Sequence, residues 1–150
     1  MCAQEKQTSS HNETYNAILA AYRMMQRRIA EMLSEEGLTQ PQFQALRIVA
    51  KNGAVFMREI SDEMFVTPAN ITGIIDRLEA RGLVERSGRS EDRRTTNIEL
   101  TPKGRALLER VEERYGRFMK NALRVFTQEE QKTFRGFLVK LQEGMTMVER

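Results

Sequence analysis

The strongest concentration of chemically distinctive side chains is the segment RSGRSEDRR, residues 86–94. It holds four arginines and two acids, a local charge of +2, while the whole 150-residue chain carries +3. Guanidinium groups bind phosphate through paired hydrogen bonds and enter narrow, negative minor grooves of DNA. The segment is therefore a candidate DNA-binding loop, with a solvated charged loop as the alternative. Its candidate arginines are Arg86, Arg89, Arg93 and Arg94.

A second feature is the stretch TPANITGIIDRLEARG, residues 67–82, which precedes that loop. Thr67 can cap a helix, Pro68 suits its first turn, and the apolar residues recur with helical spacing. The opposite face is small, with Ala69 and Gly73, although an interior glycine costs about 1 kcal/mol relative to alanine. A small face lets a helix approach base edges and phosphates closely. We therefore predict that this helix recognises DNA and is not an ordinary surface helix.

The polar residues of this helix suggest individual contacts. Thr67, Asn70 and Thr72 can bond to phosphates or base edges. Arg77 can reach a phosphate or pair with a neighbouring acid, and both alternatives stay open. Asp76 would be repelled by phosphate, so we expect it to accept from an arginine, such as one on the loop, or from a cytosine amino group. The predicted recognition set is Thr67, Pro68, Ala69, Asn70, Thr72, Gly73, Asp76 and Arg77.

The sequence offers little support for catalysis. A single cysteine, Cys2, and a single histidine, His11, supply neither an internal disulfide nor a structural zinc site. Glycine-rich phosphate loops and the H-E-x-x-H pattern are absent from the sequence. We therefore expect no metal, no cofactor and no enzymatic activity. The apolar runs are too short to cross a membrane and the polar N-terminus lacks a signal peptide, which predicts a cytoplasmic protein.

Hydrophobic periodicity predicts the elements that position these residues. The order is helix, helix, short helix, helix, hairpin, helix, helix, which is mainly α with a small β-hairpin wing, a winged helix-turn-helix. The predicted landmarks are a frayed tail at 1–9, helix starts at Ser10, Thr39, Met57, Thr67, Thr101 and Thr127, and strands at 83–86 and 95–100.

The first helix and the last two are long and amphipathic, and they carry more apolar surface than one copy can cover. This excess predicts a two-fold homodimer. We therefore predict three segments: residues 1–36 as a tail and dimerisation helix, 37–103 as the DNA-binding winged helix-turn-helix, and 104–150 as C-terminal dimerisation helices.

The phrases RLEARGLVER (77–86), EDRR (91–94) and LTPKG (100–104) resemble the MarR family of prokaryotic transcriptional regulators. The resemblance extends over nearly the whole chain. It implies a triangular homodimer that binds double-stranded DNA at a pseudo-palindromic operator, with residues 67–81 in the major groove and the wing tip in the minor groove. It also implies that Asp92 braces the wing and that Arg94 inserts into the minor groove, whereas Arg93 lies at a more variable position.

The resemblance also implies an effector. Many members bind small, often phenolic, anionic compounds in a crevice beside the DNA-binding part, so we expect a repressor released by such a ligand. Residues suited to an aromatic acid are Tyr22, Arg23, Phe43 and Arg47. One branch of the family senses peroxides through a cysteine, but Cys2 lacks an evident electropositive environment. A redox-responsive regulator and a winged-helix protein-interaction module without DNA binding are the alternatives.

Overall fold

A computed structural model describes residues 2–87 and 97–148, with side chains over 11–87 and 97–147. Within these ranges the chain is mainly helical and carries a small antiparallel sheet, which confirms the predicted fold class. The elements are α1 (Cys2–Glu35), α2 (Gln40–Asn52), β1 (Val55–Phe56), α3 (Met57–Met64), α4 (Pro68–Ala80), β2 (Val84–Ser87), β3 (Asn97–Leu100), α5 (Pro102–Leu123) and α6 (Gln128–Val148).

Helix α4 begins and ends where its capping residues predict. The backbone N–H of Asn70 donates to Thr67 Oγ1 at 3.4 Å, and Pro68 is the first helical residue. At the other end, Gly82 adopts a φ of +66°, a conformation that glycine reaches without steric cost. Leu83 N–H then donates to the carbonyl of Leu78 at 3.0 Å, which completes a Schellman ending.

The sheet has the strand order β1-β3-β2. In the β2–β3 ladder Val84 lies opposite Leu100 and Arg86 lies opposite Ile98. Strand β1 adds Val55 opposite Ile98, on the other side of β3. The sequence analysis predicted only the hairpin, because two residues are too short to show the alternation that marks a strand.

The core lies between α2, α3, α4 and the inner face of the sheet. The apolar stripe of α4 supplies four of its buried side chains, and α1 and α5 add residues from their adjoining ends. Each fully buried leucine or isoleucine contributes about 1.5–3 kcal/mol relative to exposure. The largest buried side chains include Leu33, Phe43, Leu46, Ile60, Ile71, Ile75, Leu78, Val84, Ile98 and Val111.

The chain divides into two compact units, Met1–Val111 and Glu112–Arg150. In the second unit the Phe126 and Phe134 rings stack with centroids 5.8 Å apart. Apolar side chains of α6, among them Phe137 and Leu141, are exposed in the single chain. The three-segment division by role, at residues 36 and 103, stays a prediction.

The prediction of a frayed tail over residues 1–9 was wrong for the described part of that segment. Helix α1 already begins at Cys2 and runs without interruption through Ser10. The segment contains alanine, glutamines, glutamate and lysine, which favour a helix in the absence of a breaking residue. The predicted cap at Ser10 is therefore not the start of the helix.

Candidate nucleic-acid interface

The first turn of α4 is exposed to solvent. Thr67, Pro68, Ala69 and Asn70 are all exposed, in contrast to Ile71, which is buried. The N–H groups of a first helical turn and the helix dipole both favour an anion such as a phosphate. This end of α4 therefore combines accessible polar groups, small side chains and a favourable field.

In the middle of α4, the Arg77 side chain lies against Gly73. The Arg77 side chain folds back along its own helix, where its Nε donates to the Gly73 carbonyl at 2.8 Å. A Cβ on Gly73 would lie 3.3 Å from Arg77 Nη2. One turn earlier, the Thr72 hydroxyl donates to the Pro68 carbonyl at 2.9 Å. The glycine thus leaves room for an exposed guanidinium on the face predicted to meet DNA.

Asp76 forms an ion pair with an arginine from the wing, as the sequence analysis expected for this acid. Arg86 Nη2 donates to Asp76 Oδ1 at 2.6 Å, and Arg86 Nη1 donates to the Glu79 carboxylate. Only 22% of the Arg86 side chain is exposed. Arg86 and Asp76 both belong to the predicted DNA-binding set, and the structure pairs them and adds Glu79, which was not predicted.

The rest of the predicted wing lies outside the described residues. Arg89, Asp92, Arg93 and Arg94 fall in the segment 88–96. Their roles stay predictions.

The C-terminal end of α4 is held by residues that the sequence analysis did not assign. The Thr101 hydroxyl donates to the Gly82 carbonyl and Lys103 Nζ donates to the Arg81 carbonyl, each at 2.7 Å. Arg81 in turn donates to the carbonyls of Glu36, at 3.3 Å, and Gly37. The LTPKG phrase was the available signal, because Thr101 and Lys103 from it hold α5 to the end of α4.

The predicted effector residues fall into two groups. Tyr22 and Arg23 lie on the exposed side of α1. Phe43 is a core side chain with 2% of its surface exposed, and the Arg47 guanidinium carbon lies 5.6 Å from the centre of its ring. This distance is within the range of a cation–π contact. The effector role of all four residues stays a prediction.

Two further findings concern the described residues. No group of three or more histidine, cysteine, aspartate or glutamate side chains among them is placed to hold a metal ion. None of the helices in this part of the chain combines the length and the apolar character needed to span a membrane.

Comparison with known proteins identifies the fold and its family. Residues 36–95 match the model of the MarR family. The HTH-type transcriptional regulator YsmB of Bacillus subtilis is 32% identical over 115 residues, which span 77% of this chain and 79% of the relative. The structure of a MarR family protein from Bacillus stearothermophilus is 33% identical, with a TM-score of 0.73 over 94% of this chain and 97% of that one. The chain belongs to the MarR family.

One further relative and one further solved structure are similar to this chain. The HTH-type transcriptional repressor MdtR of Bacillus subtilis is 30% identical over 114 residues, 76% of this chain and 74% of the relative. Staphylococcus aureus MarR, solved in complex with salicylate and kanamycin, shares the fold with a TM-score of 0.84 at 20% identity, covering 95% of this chain and 96% of that one. The protein is thus a MarR-family transcriptional regulator, a DNA-binding protein and not an enzyme.

Proposed function

We propose that this protein is a homodimeric repressor that binds a pseudo-palindromic operator through α4 and the wing, and that a small aromatic acid releases it. The observation that carries the proposal is the exposed, small N-terminal half of α4. Its buried stripe fixes the helix on the core, and its opposite side is left open to a groove of DNA.

The α4 contacts divide into phosphate and base contacts. Thr67 and the Ala69 N–H of the first turn take a phosphate, since they lie at the positive end of the helix dipole. Asn70 and Thr72 lie within reach of base edges, and Ala69 and Gly73 permit the close approach. Arg94, at the predicted wing tip, supplies the minor-groove contact.

The dimer is supported by the apolar side chains that the single chain leaves exposed. On α1 these include Tyr15, Ile18 and Met25, and on α6 they include Phe134, Phe137 and Leu141. Exposed apolar surface of this extent is typical of a protein–protein interface. A two-fold dimer presents two α4 helices to successive turns of one DNA face, about 34–36 Å apart, which is why the operator should be a palindrome.

A repressor role is supported by the similarity of this chain to the transcriptional repressor MdtR. An effector of aromatic-acid chemistry would pair its carboxylate with Arg47 or Arg23 and stack its ring beside Tyr22. Such a ligand would act in the cytoplasm, where the operator is.

Footprinting on the DNA upstream of the protein's own gene tests the proposal. We expect a protected palindrome with half-sites about one helical turn apart, and its loss on addition of salicylate as the aromatic-acid probe. Protection that persists at saturating salicylate would contradict release by this class of ligand. Failure to protect any palindrome would favour the protein-interaction module instead.

A further inference from the structure

Arg86 lies on the inner face of an edge strand, an unusual place for an arginine. Side chains alternate along β2, so Arg86 shares a face with Val84, which is 2% exposed, and lies opposite Ile98, which is fully buried. The Ser87 hydroxyl instead donates to the Glu99 carboxylate on the other face. The strand therefore directs Arg86 toward α4 and away from the wing surface.

The Arg86 guanidinium joins two acids on successive turns of α4. Asp76 and Glu79 are three residues apart, so their side chains are neighbours on the helix surface. Each Nη group of Arg86 donates to one of them, and Nε is buried. The two Nη groups are thus engaged and Nε is covered, which leaves little of the guanidinium to meet a phosphate.

We infer that Arg86 is a positioning residue, which fixes the base of the wing against the recognition helix and orients Asp76, and that it does not bind DNA itself. This inference rests on the proposed DNA binding through α4 and the wing. Strand β2 pairs only with β3 in the described sheet, so its other edge has no backbone partner there. The Arg86 ion pairs supply a side-chain link between the inner face of β2 and α4. They fix the spacing between a major-groove and a minor-groove contact.

The same contacts determine what Asp76 can do. Its side chain is 51% exposed, but Oδ1 is occupied by Arg86, so Oδ2 is the oxygen left for a cytosine amino group. The cluster of Asp76, Glu79 and Arg86 carries −1 in total. Without Arg86 it would carry −2 on the helix that must approach phosphates, so a test must separate lost positioning from added repulsion.

Two variants make that separation. Arg86→Lys keeps the charge, but a single ammonium cannot hold two carboxylates in the planar geometry of a guanidinium. The double variant Arg86→Gln with Glu79→Gln keeps the cluster at −1 and removes the link. Arg94→Ala serves as the comparator for loss of a phosphate or minor-groove cation.

Operator affinity is measured for each variant over a range of salt concentrations. We expect both Arg86 variants to bind about five- to tenfold more weakly, with the wild-type slope of log K against log salt. Arg94→Ala should flatten the slope by about 0.9 per protomer, as expected when a cation that displaces counterions is lost. A slope reduced by the same amount in the Arg86 variants, or wild-type affinity in Arg86→Lys, would overturn the inference.

Amide hydrogen exchange of the free protein gives a readout that does not depend on DNA. We expect faster exchange of the β2 amides in both Arg86 variants and unchanged exchange in α2, because only the link between β2 and α4 is removed. Unchanged β2 exchange would contradict the positioning role. If the wild type binds no palindrome, the proposed function fails, and the exchange measurement still decides whether Arg86 holds the wing.

Discussion

At Gly73, helix stability and the proposed close approach to DNA favour different residues. A side chain there would stabilise α4, because glycine in a helix interior costs about 1 kcal/mol relative to alanine. No core contact excludes a side chain at this position, because an added Cβ meets only the flexible end of Arg77 at 3.3 Å. The glycine is therefore not required by the fold, and close approach to DNA remains the explanation that we propose.

Substitutions at Gly73 separate these demands. Gly73→Ala should raise the free energy of unfolding by up to about 1 kcal/mol, as measured by chemical denaturation. Gly73→Leu should leave the dimer folded but abolish specific operator binding in a gel-shift assay, because its side chain fills the space next to the DNA. Wild-type operator affinity in the leucine variant would show that close approach at this residue is not needed.

Phe65 is a bulky residue in a backbone conformation that usually favours glycine or asparagine. It adopts φ 54° and ψ 41° at the turn between α3 and α4, and 96% of its surface is exposed. A left-handed conformation costs a bulky residue about 1–2 kcal/mol, which asparagine or glycine largely avoids.

Phe65→Asn should therefore raise the thermal stability of the free protein, since the ring buries almost nothing. Phe65→Ala is the matched control, because it removes the ring and keeps the strained conformation, and it should give no gain. Equal stabilisation by both variants, measured by calorimetry, would mean that the exposed ring and not the backbone is the unfavourable feature.

At the scale of elements, the starts of α2 and α6 were predicted well because local hydrogen bonds determine where these helices begin. The Thr39–Gln42 capping box forms at the start of α2, and Thr127 forms the same motif with Glu130 before α6. Strand β1 was missed because tertiary pairing with β3 creates it. The inward direction of Arg86 follows from its alternation with Val84, but its position in a charge run suggested a surface role.

The start of α5 packs so closely on the turn after α4 that only glycine fits. A Cβ on Gly104 would lie 1.9 Å from the Leu83 carbonyl oxygen, a backbone atom that cannot rotate away. We expect Gly104→Ala to lower the free energy of unfolding by about 1–3 kcal/mol, the usual cost of overpacking.

Gly116→Ala is the control in the same helix, since an added Cβ there meets nothing within 4 Å. It should raise the stability by up to about 1 kcal/mol through helix propensity. Denaturant unfolding of both variants measures the contrast. Similar effects of the two substitutions would contradict the close contact at Gly104.

The cap of α6 should depend on pH. The Thr127 backbone N–H, and then its hydroxyl, donate to the Glu130 carboxylate at 2.7 and 2.9 Å, and they lower the pKa of Glu130. A lowered pKa contributes stability that is fully present above the unfolded-state pKa and is lost as the pH falls through the folded-state pKa. An NMR titration of the Glu130 carboxyl carbon should show a midpoint below the ordinary glutamate range, and Thr127→Ala should raise it. An unchanged midpoint in Thr127→Ala would contradict the contribution of the hydroxyl.

At the scale of the whole molecule, the exposed apolar residues of α6 require a partner surface. We expect a dimer in sedimentation equilibrium, and a monomer when Phe137 and Leu141 are both replaced by glutamate, because a dimer interface would then have to bury two charges in each chain. Operator affinity should fall with the dimer. Gln142→Glu adds the same type of charge to the same helix and should change neither property, because Gln142 lies about 100° around the helix from Leu141.

The sequence predicted this architecture because amphipathic stripes and helix caps are local patterns, and because its phrases resemble a known family. Apart from the pairing of Asp76 with a wing arginine, it did not predict the contacts that join distant elements. Lys103 donates to the Arg81 carbonyl and Arg110 forms an ion pair with Glu36 at 2.9 Å, and both contacts join residues far apart in the chain. Pairings of this kind depend on the assembled fold, and no spacing rule in one sequence contains them.

The junction at the end of α4 has a consequence for signalling. Arg81, Thr101 and Lys103 tie the C-terminal turn of α4 to the end of α1 and the start of α5. Helix α4 therefore cannot rotate or slide alone without breaking several hydrogen bonds. An effector that moves α1 or α5 would carry α4 with it. We therefore expect an effector to change the distance between the two α4 helices of the dimer, while the contacts of α4 within each chain stay the same.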